Sequence, residues 1–172
     1  MAALPVLASF STYFFWSPQG GASYGELIRP LALPDTALSA PDGTRFMLSG
    51  LRGRWILVRI GAGRCGEECA RHMFLMRQVR LMQGKEMARL ERLWLISDDA
   101  VPEAGLLQDY EGLRVGRAPV ELIRLFPADR DPGEHLYLID PLGNLMLRFP
   151  SDPDGRKMAR DIARLLRVSH VG

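Results

Sequence analysis

The sequence predicts an α/β fold, a central mixed sheet flanked by helices, and three observations carry that reading. Two apolar runs, Trp55 to Ile60 and Leu93 to Ser97, lack the alternation of a half-exposed strand, which indicates burial on both faces. Between them, Glu67 to about Glu91 is strongly helical in composition, so the two strands are expected to run parallel across a crossover. Nearer the C-terminus, His135 to Ile139 and Asn144 to Phe149 flank the turn signature Asp140-Pro141-Leu142-Gly143, which predicts a hairpin.

The other elements follow in order. Pro41-Asp42-Gly43-Thr44 is a turn, and Arg45 to Leu48 a short strand leading to Leu51-Arg52-Gly53-Arg54. In the long helix, Cys69, Met73, Met76, Val79 and Gln83 share one face. Pro102 to Tyr110 and Ala118 to Phe126 are short helical segments separated by the polar stretch Glu111 to Arg117. Ser151-Asp152-Pro153 is expected to cap a terminal helix in which Met158, Ile162, Leu165 and Leu166 recur at helical spacing. The resulting order, β-α-β-α-β-β-α, is that of a thioredoxin-like domain.

Length and charge bound the function. A chain of 172 residues with 47% hydrophobic content has room for one domain with a well-sized core. Its net charge of +2 comes from 22 basic and 20 acidic residues mixed along the sequence, which gives no surface for nucleic acid. No Ser/His/Asp arrangement, phosphate-cradling glycine loop or second cysteine pair of the zinc type is present, so hydrolase, kinase and zinc-finger readings have no support.

The N-terminus has a different character. Met1 to Gly25 carries no charged side chain, and Leu4 to Trp16 is largely apolar, ending in Tyr13-Phe14-Phe15-Trp16 like an interfacial aromatic belt. Residues 1–16 therefore read as a membrane anchor, shorter than the roughly 20 residues of a full span. Residues 17–32, rich in Pro, Gly, Ser and Ala, read as a linker, and 33–172 as the domain.

Both cysteines lie in Gly61-Ala62-Gly63-Arg64-Cys65-Gly66-Glu67-Glu68-Cys69, directly after the first buried strand. A bend that leaves a strand and opens a helix exposes helix-start amides, which stabilise thiolate. Three intervening residues place the pair at i and i+4, about 5 to 6 Å apart at Cβ if both are helical. That is wider than the roughly 3.5 to 4.5 Å a disulfide prefers, yet it suits two thiolates converging on a soft ion such as Cu(I); a disulfide stays open only if Cys65 lies in the bend. Arg64 favours thiolate by its charge, whereas Glu67 and Glu68 oppose it.

Taken together, these residues give the chain a resemblance to the Sco/SenC family of thioredoxin-like cytochrome c oxidase assembly factors. Leu51-Arg52-Gly53-Arg54-Trp55 resembles the loop before the family's first core strand, and Gly61 to Cys69 its glycine-led C-x-x-x-C copper loop. Leu95-Ile96-Ser97-Asp98 and Tyr137 to Gly143 are similar to its second core strand and C-terminal hairpin. The resemblance implies a domain held outside the cytoplasmic membrane, facing the periplasm. It further implies copper binding or thiol exchange at Cys65 and Cys69, with the copper-site subunit of the oxidase or another assembly factor as partner.

The family's copper-binding histidine falls at Pro132 in an ungapped match, so His135 is the expected third ligand in its place. That expectation rests on His135 opening a strand antiparallel to Trp55 to Ile60, which puts it beside the cysteine bend. His72, three residues after Cys69, is the alternative, and His170 has no expected role. Met73, Met76, Met82 and Met87 read as core filler on an amphipathic helix. Asp98 and Asp99 read as a turn or cap. Two other functions stay open: a thiol oxidoreductase or peroxidase, and a scaffold of the same fold without site chemistry.

Overall fold

A computed structural model describes residues 23–169. Its eight strands are β1 (Glu26–Ala32), β2 (Ala37–Ser39), β3 (Arg45–Met47), β4 (Trp55–Gly61), β5 (Leu90–Ile96), β6 (Leu113–Arg117), β7 (Leu136–Ile139) and β8 (Asn144–Arg148). The helices are α1 (Glu67–Leu81), α2 (Ala104–Asp109), α3 (Val120–Ile123) and α4 (Gly155–Val168). All strands join one mixed sheet in the order β1-β8-β7-β4-β5-β6-β2-β3.

The expected centre of the sheet is present. β4 and β5 pair in parallel from Trp55↔Leu90 to Gly61↔Ile96, with α1 as the crossover. β7 runs antiparallel to β4, and β8 completes the hairpin, turned by Gly143 at φ 92° with Asp140 accepting from the amides of Leu142 and Asn144. Alternation along β4 sends Ile56, Val58 and Ile60 into one apolar cluster, and Trp55 and Leu57 into another that packs under α1 and α4.

Several boundaries differ from the sequence reading. The long helix ends at Leu81, because Gly84 takes φ 56° and the chain tightens into a 3-10 segment, Gly84–Arg89, before β5 opens at Leu90. The stretch Glu111 to Arg117 contains a strand: β6 pairs in parallel with β5, its polarity explained by a place near the sheet's edge. The α4 cap is Asp154, whose carboxylate accepts from the amides of Arg156 and Lys157, and not the Ser151-Asp152-Pro153 triplet. Met73 and Met76 are core residues, whereas Met82 and Met87 are exposed where the chain leaves the helix.

The expected linker is also partly structure. Glu26–Ala32 forms β1, antiparallel to β8, and its start is fastened by Asp161 of α4. That buried carboxylate accepts from the Gly25 amide at 2.8 Å and the Ser23 hydroxyl at 2.9 Å. The expected anchor, residues 1–16, and His170 lie outside the described residues. Among the described residues no helix is long and apolar enough to cross a membrane.

Candidate functional site

The C-terminal end of β4 builds the site. After the buried run the chain must turn outward, and two glycines let it do so at close quarters. A Cβ on Gly63 would stand 2.1 Å from the Ala100 carbonyl oxygen, so a larger residue forces the backbone apart. The Gly63 amide instead donates to Asp98 Oδ1 at 2.8 Å. Asp98 also accepts from the Ala100 amide, while Arg117 at the end of β6 donates to the carbonyls of Asp98 and Asp99. The cysteine bend and the loop after β5 are thus one hydrogen-bonded unit. Asp98 serves it as a turn residue, as its position suggested, and Asp99 is exposed beside Arg117.

Cys65 and Cys69 are joined by a disulfide, with Cα atoms 5.1 Å apart. Cys65 lies in the bend and is half-buried, whereas Cys69 is in the first turn of α1 and buried among Met73, Trp94, Ile96 and Val115. α1 begins at Gly66 with no side-chain cap. Its first-turn amides therefore face the bend, where they favour negative charge on sulfur. One sulfur open to a partner and one sealed in the core is the asymmetry that disulfide exchange needs: the open one is attacked, the sealed one leaves.

Two histidines stand near this unit. His135 immediately precedes β7, its Nδ1 2.8 Å from the Phe149 carbonyl oxygen, so the Nδ1–H tautomer donates there. His72 is buried on the same face of α1 as Cys69, and its Nδ1 has no hydrogen-bond partner among the described residues. Burial, then the charges of Arg59, Arg71 and His135, push the His72 pKa down to about 4, so its ring is neutral at pH 7. Among the described residues no three His, Cys, Asp or Glu side chains converge as a metal-binding group, and in this state both sulfurs are committed to each other.

One residue of the site escaped the sequence reading. Arg59 sits in the middle of the buried run and is itself buried, on the α1 side of the sheet between Trp94 of β5 and Leu136 of β7. Its guanidinium lies 5.6 Å from the centre of the Trp94 ring, and a Cβ on Gly61 would come within 2.6 Å of its Nη1. The available signal was a single charge interrupting an otherwise apolar strand.

A family model described as the transmembrane-like, thioredoxin-like C-terminal domain matches residues 55–169. No curated protein matches the sequence. Among solved structures, the chain resembles a SCO1/SenC family lipoprotein of Bacillus anthracis at 19% identity and a TM-score of 0.62, over 81% of this chain and 99% of that one. Yeast Sco1 with copper bound matches at 16% identity and 0.61, over 81% and 91% of the two chains. A thiol:disulfide interchange protein of the thioredoxin family from Chlorobium tepidum matches at 22% and 0.56, over 81% and 96%. At these identities the shared property is the fold. The parallel β4-α1-β5 crossover, the β7-β8 hairpin and the matched family model agree, and the chain belongs to the family of transmembrane-like, thioredoxin-like C-terminal domains.

Proposed function

We propose that this protein assists assembly of the cytochrome c oxidase copper site from the periplasmic side of the cytoplasmic membrane, using Cys65 and Cys69 as a redox pair that takes Cu(I) when reduced. The observation that carries the proposal is the pair itself, one sulfur accessible and one buried, at the junction of a central strand and an uncapped helix start. A partner thiolate attacks Cys65 Sγ, the Sγ–Sγ bond breaks with its electron pair on Cys69 Sγ, and a second partner thiol resolves the mixed disulfide. The products are reduced Cys65 and Cys69 and an oxidised partner.

The reduced donor set fits a soft cargo ion. Two thiolates on one short loop select Cu(I), and loop placement lets the ion pass to another protein by ligand exchange. His135 is the proposed third ligand, since an Nδ1 held by the Phe149 carbonyl leaves Nε2 as the ligating nitrogen. Copper is present in the solved structures of Bradyrhizobium japonicum ScoI and yeast Sco1, which share this fold. The membrane tether rests on the uncharged, aromatic-ended N-terminal stretch alone.

An anaerobic Cu(I) titration of the reduced domain tests the reading. One equivalent should bind with loss of both free thiols, and Cys65→Ser or Cys69→Ser should largely abolish it. Equal affinity in the double Cys→Ser variant would leave a scaffold of this fold as the better account. Turnover of peroxide or of an insulin disulfide at enzymatic rates would favour the oxidoreductase reading.

A further inference from the structure

Arg59 brings a charge into the core with no carboxylate bonded to it among the described residues. Its Nε and Nη1 have no hydrogen-bond partner among the described residues, an arrangement that costs stability. Its position narrows what the charge can act on. The side chain projects from the α1 face of β4, two residues before the bend, onto the ring of Trp94, and Trp94 belongs to the apolar cluster that contains Cys69 and Met73, with Cys65 packed against it.

Electrostatic neighbours converge on the same spot. Burial lowers the Arg59 pKa, opposed by the charges of Glu68, next to Cys69, and of Asp131, before the 3-10 turn Pro132–Glu134. His72, one turn beyond Cys69, senses the same guanidinium. Glu68 and Asp131 are both solvent-exposed, where water screens them, so the buried cation is not neutralised from within the core. A guanidinium is basic enough to stay charged despite that burial.

We propose that Arg59 sets the reduction potential of the Cys65–Cys69 pair, as a fixed buried cation that stabilises the negative charge left on sulfur when the disulfide accepts two electrons. The inference rests on the redox reading of the pair. Arg59 touches no reacting atom in it; it is a positioning residue acting through the leaving sulfur of Cys69. Stabilising the reduced form makes the disulfide more oxidising. The electrons come from a partner dithiol, which leaves as a disulfide.

Equilibration of the protein with glutathione redox buffers at pH 7 tests this. Arg59→Met keeps an unbranched stem, removes the charge, and should shift the equilibrium about tenfold towards the disulfide, or about 30 mV more reducing for a two-electron couple. Arg59→Lys should retain most of the parent potential. Should Arg59→Met fail to fold, Arg59→Gln, which keeps a polar planar end without the charge, decides: it should give the same shift of about tenfold towards the disulfide. A parent-like potential in the neutral variant that folds, or an equal fall in that variant and in Arg59→Lys, would overturn the inference. If the parent pair never equilibrates with glutathione, the redox reading itself fails, and that result is distinct from a parent that equilibrates while its variants do not differ.

Discussion

The Gly63 amide donates to Asp98 Oδ1 across 2.8 Å, so the loop that carries the cysteines is held by the loop that ends the neighbouring strand. Asp98→Ala removes this bond and the second one to the Ala100 amide. It should lower stability by only about 1 kcal/mol, since Asp98 is exposed and its partners can turn to water. The larger effect should be on the bend: alkylation of Cys65 in the reduced protein should accelerate several-fold, read by mass spectrometry. Gly63→Ala, which meets the Ala100 carbonyl, should destabilise more than Asp98→Ala.

Reduction should weaken the fold modestly. The disulfide closes a loop across a separation of four residues, and a loop that short constrains little of the unfolded chain, about 2 kcal/mol on the entropic account. Denaturant midpoints with and without reductant measure the difference. A reduced protein that is unfolded at 25 °C would show that the bond is a structural staple, not a working one.

His72 should give the protein an acid-sensitive step. Its folded pKa, about 4, lies below the 6.5 of an unperturbed histidine, so between those values the unfolded chain binds the extra proton. The stability conferred by the neutral buried ring is fully present above pH 6.5 and is lost as pH falls towards 4, by up to about 3 kcal/mol. Urea melts at pH 7 and pH 4.5 should show the loss in the parent, and His72→Leu should flatten it.

Asp161 should matter for one strand more than for the site. Asp161→Ala leaves the Gly25 amide and the Ser23 hydroxyl without their acceptor and should cost about 2 kcal/mol. Amide exchange should rise first in Glu26–Ala32, while β4 and β5 stay protected.

What was legible in the sequence was whatever repeated or stood out locally. The apolar runs located β4 and most of β5, and the Asp140 to Gly143 turn located the hairpin, because burial and turn chemistry are written in adjacent residues. β1 and β6 were not legible, since an edge or near-edge strand keeps one side wet and carries charges such as Glu26, Arg29 and Arg114. The paired cysteines were visible from their spacing, whereas their unequal burial depends on where α1 crosses the sheet. Arg59 lay within a correctly placed strand. Its meaning came from Trp94 and Glu68, which are distant or differently directed in sequence and meet it only in the fold.

The N-terminal strands occupy both margins of the sheet: β1 lies against β8, and β2 with β3 lies against β6 at the opposite side. Residues 26–47 therefore act as a clasp that reaches from one rim to the other, although the matched domain begins only at residue 55. During synthesis this clasp emerges first and must wait for its last partner, since Glu26 pairs with Arg148. Until then β1 has no partner strand and presents open backbone to other chains. A fragment beginning at Trp55 would carry every residue of the cysteine site and yet leave both rims bare, so its characteristic fault would be association between copies before any loss of chemistry.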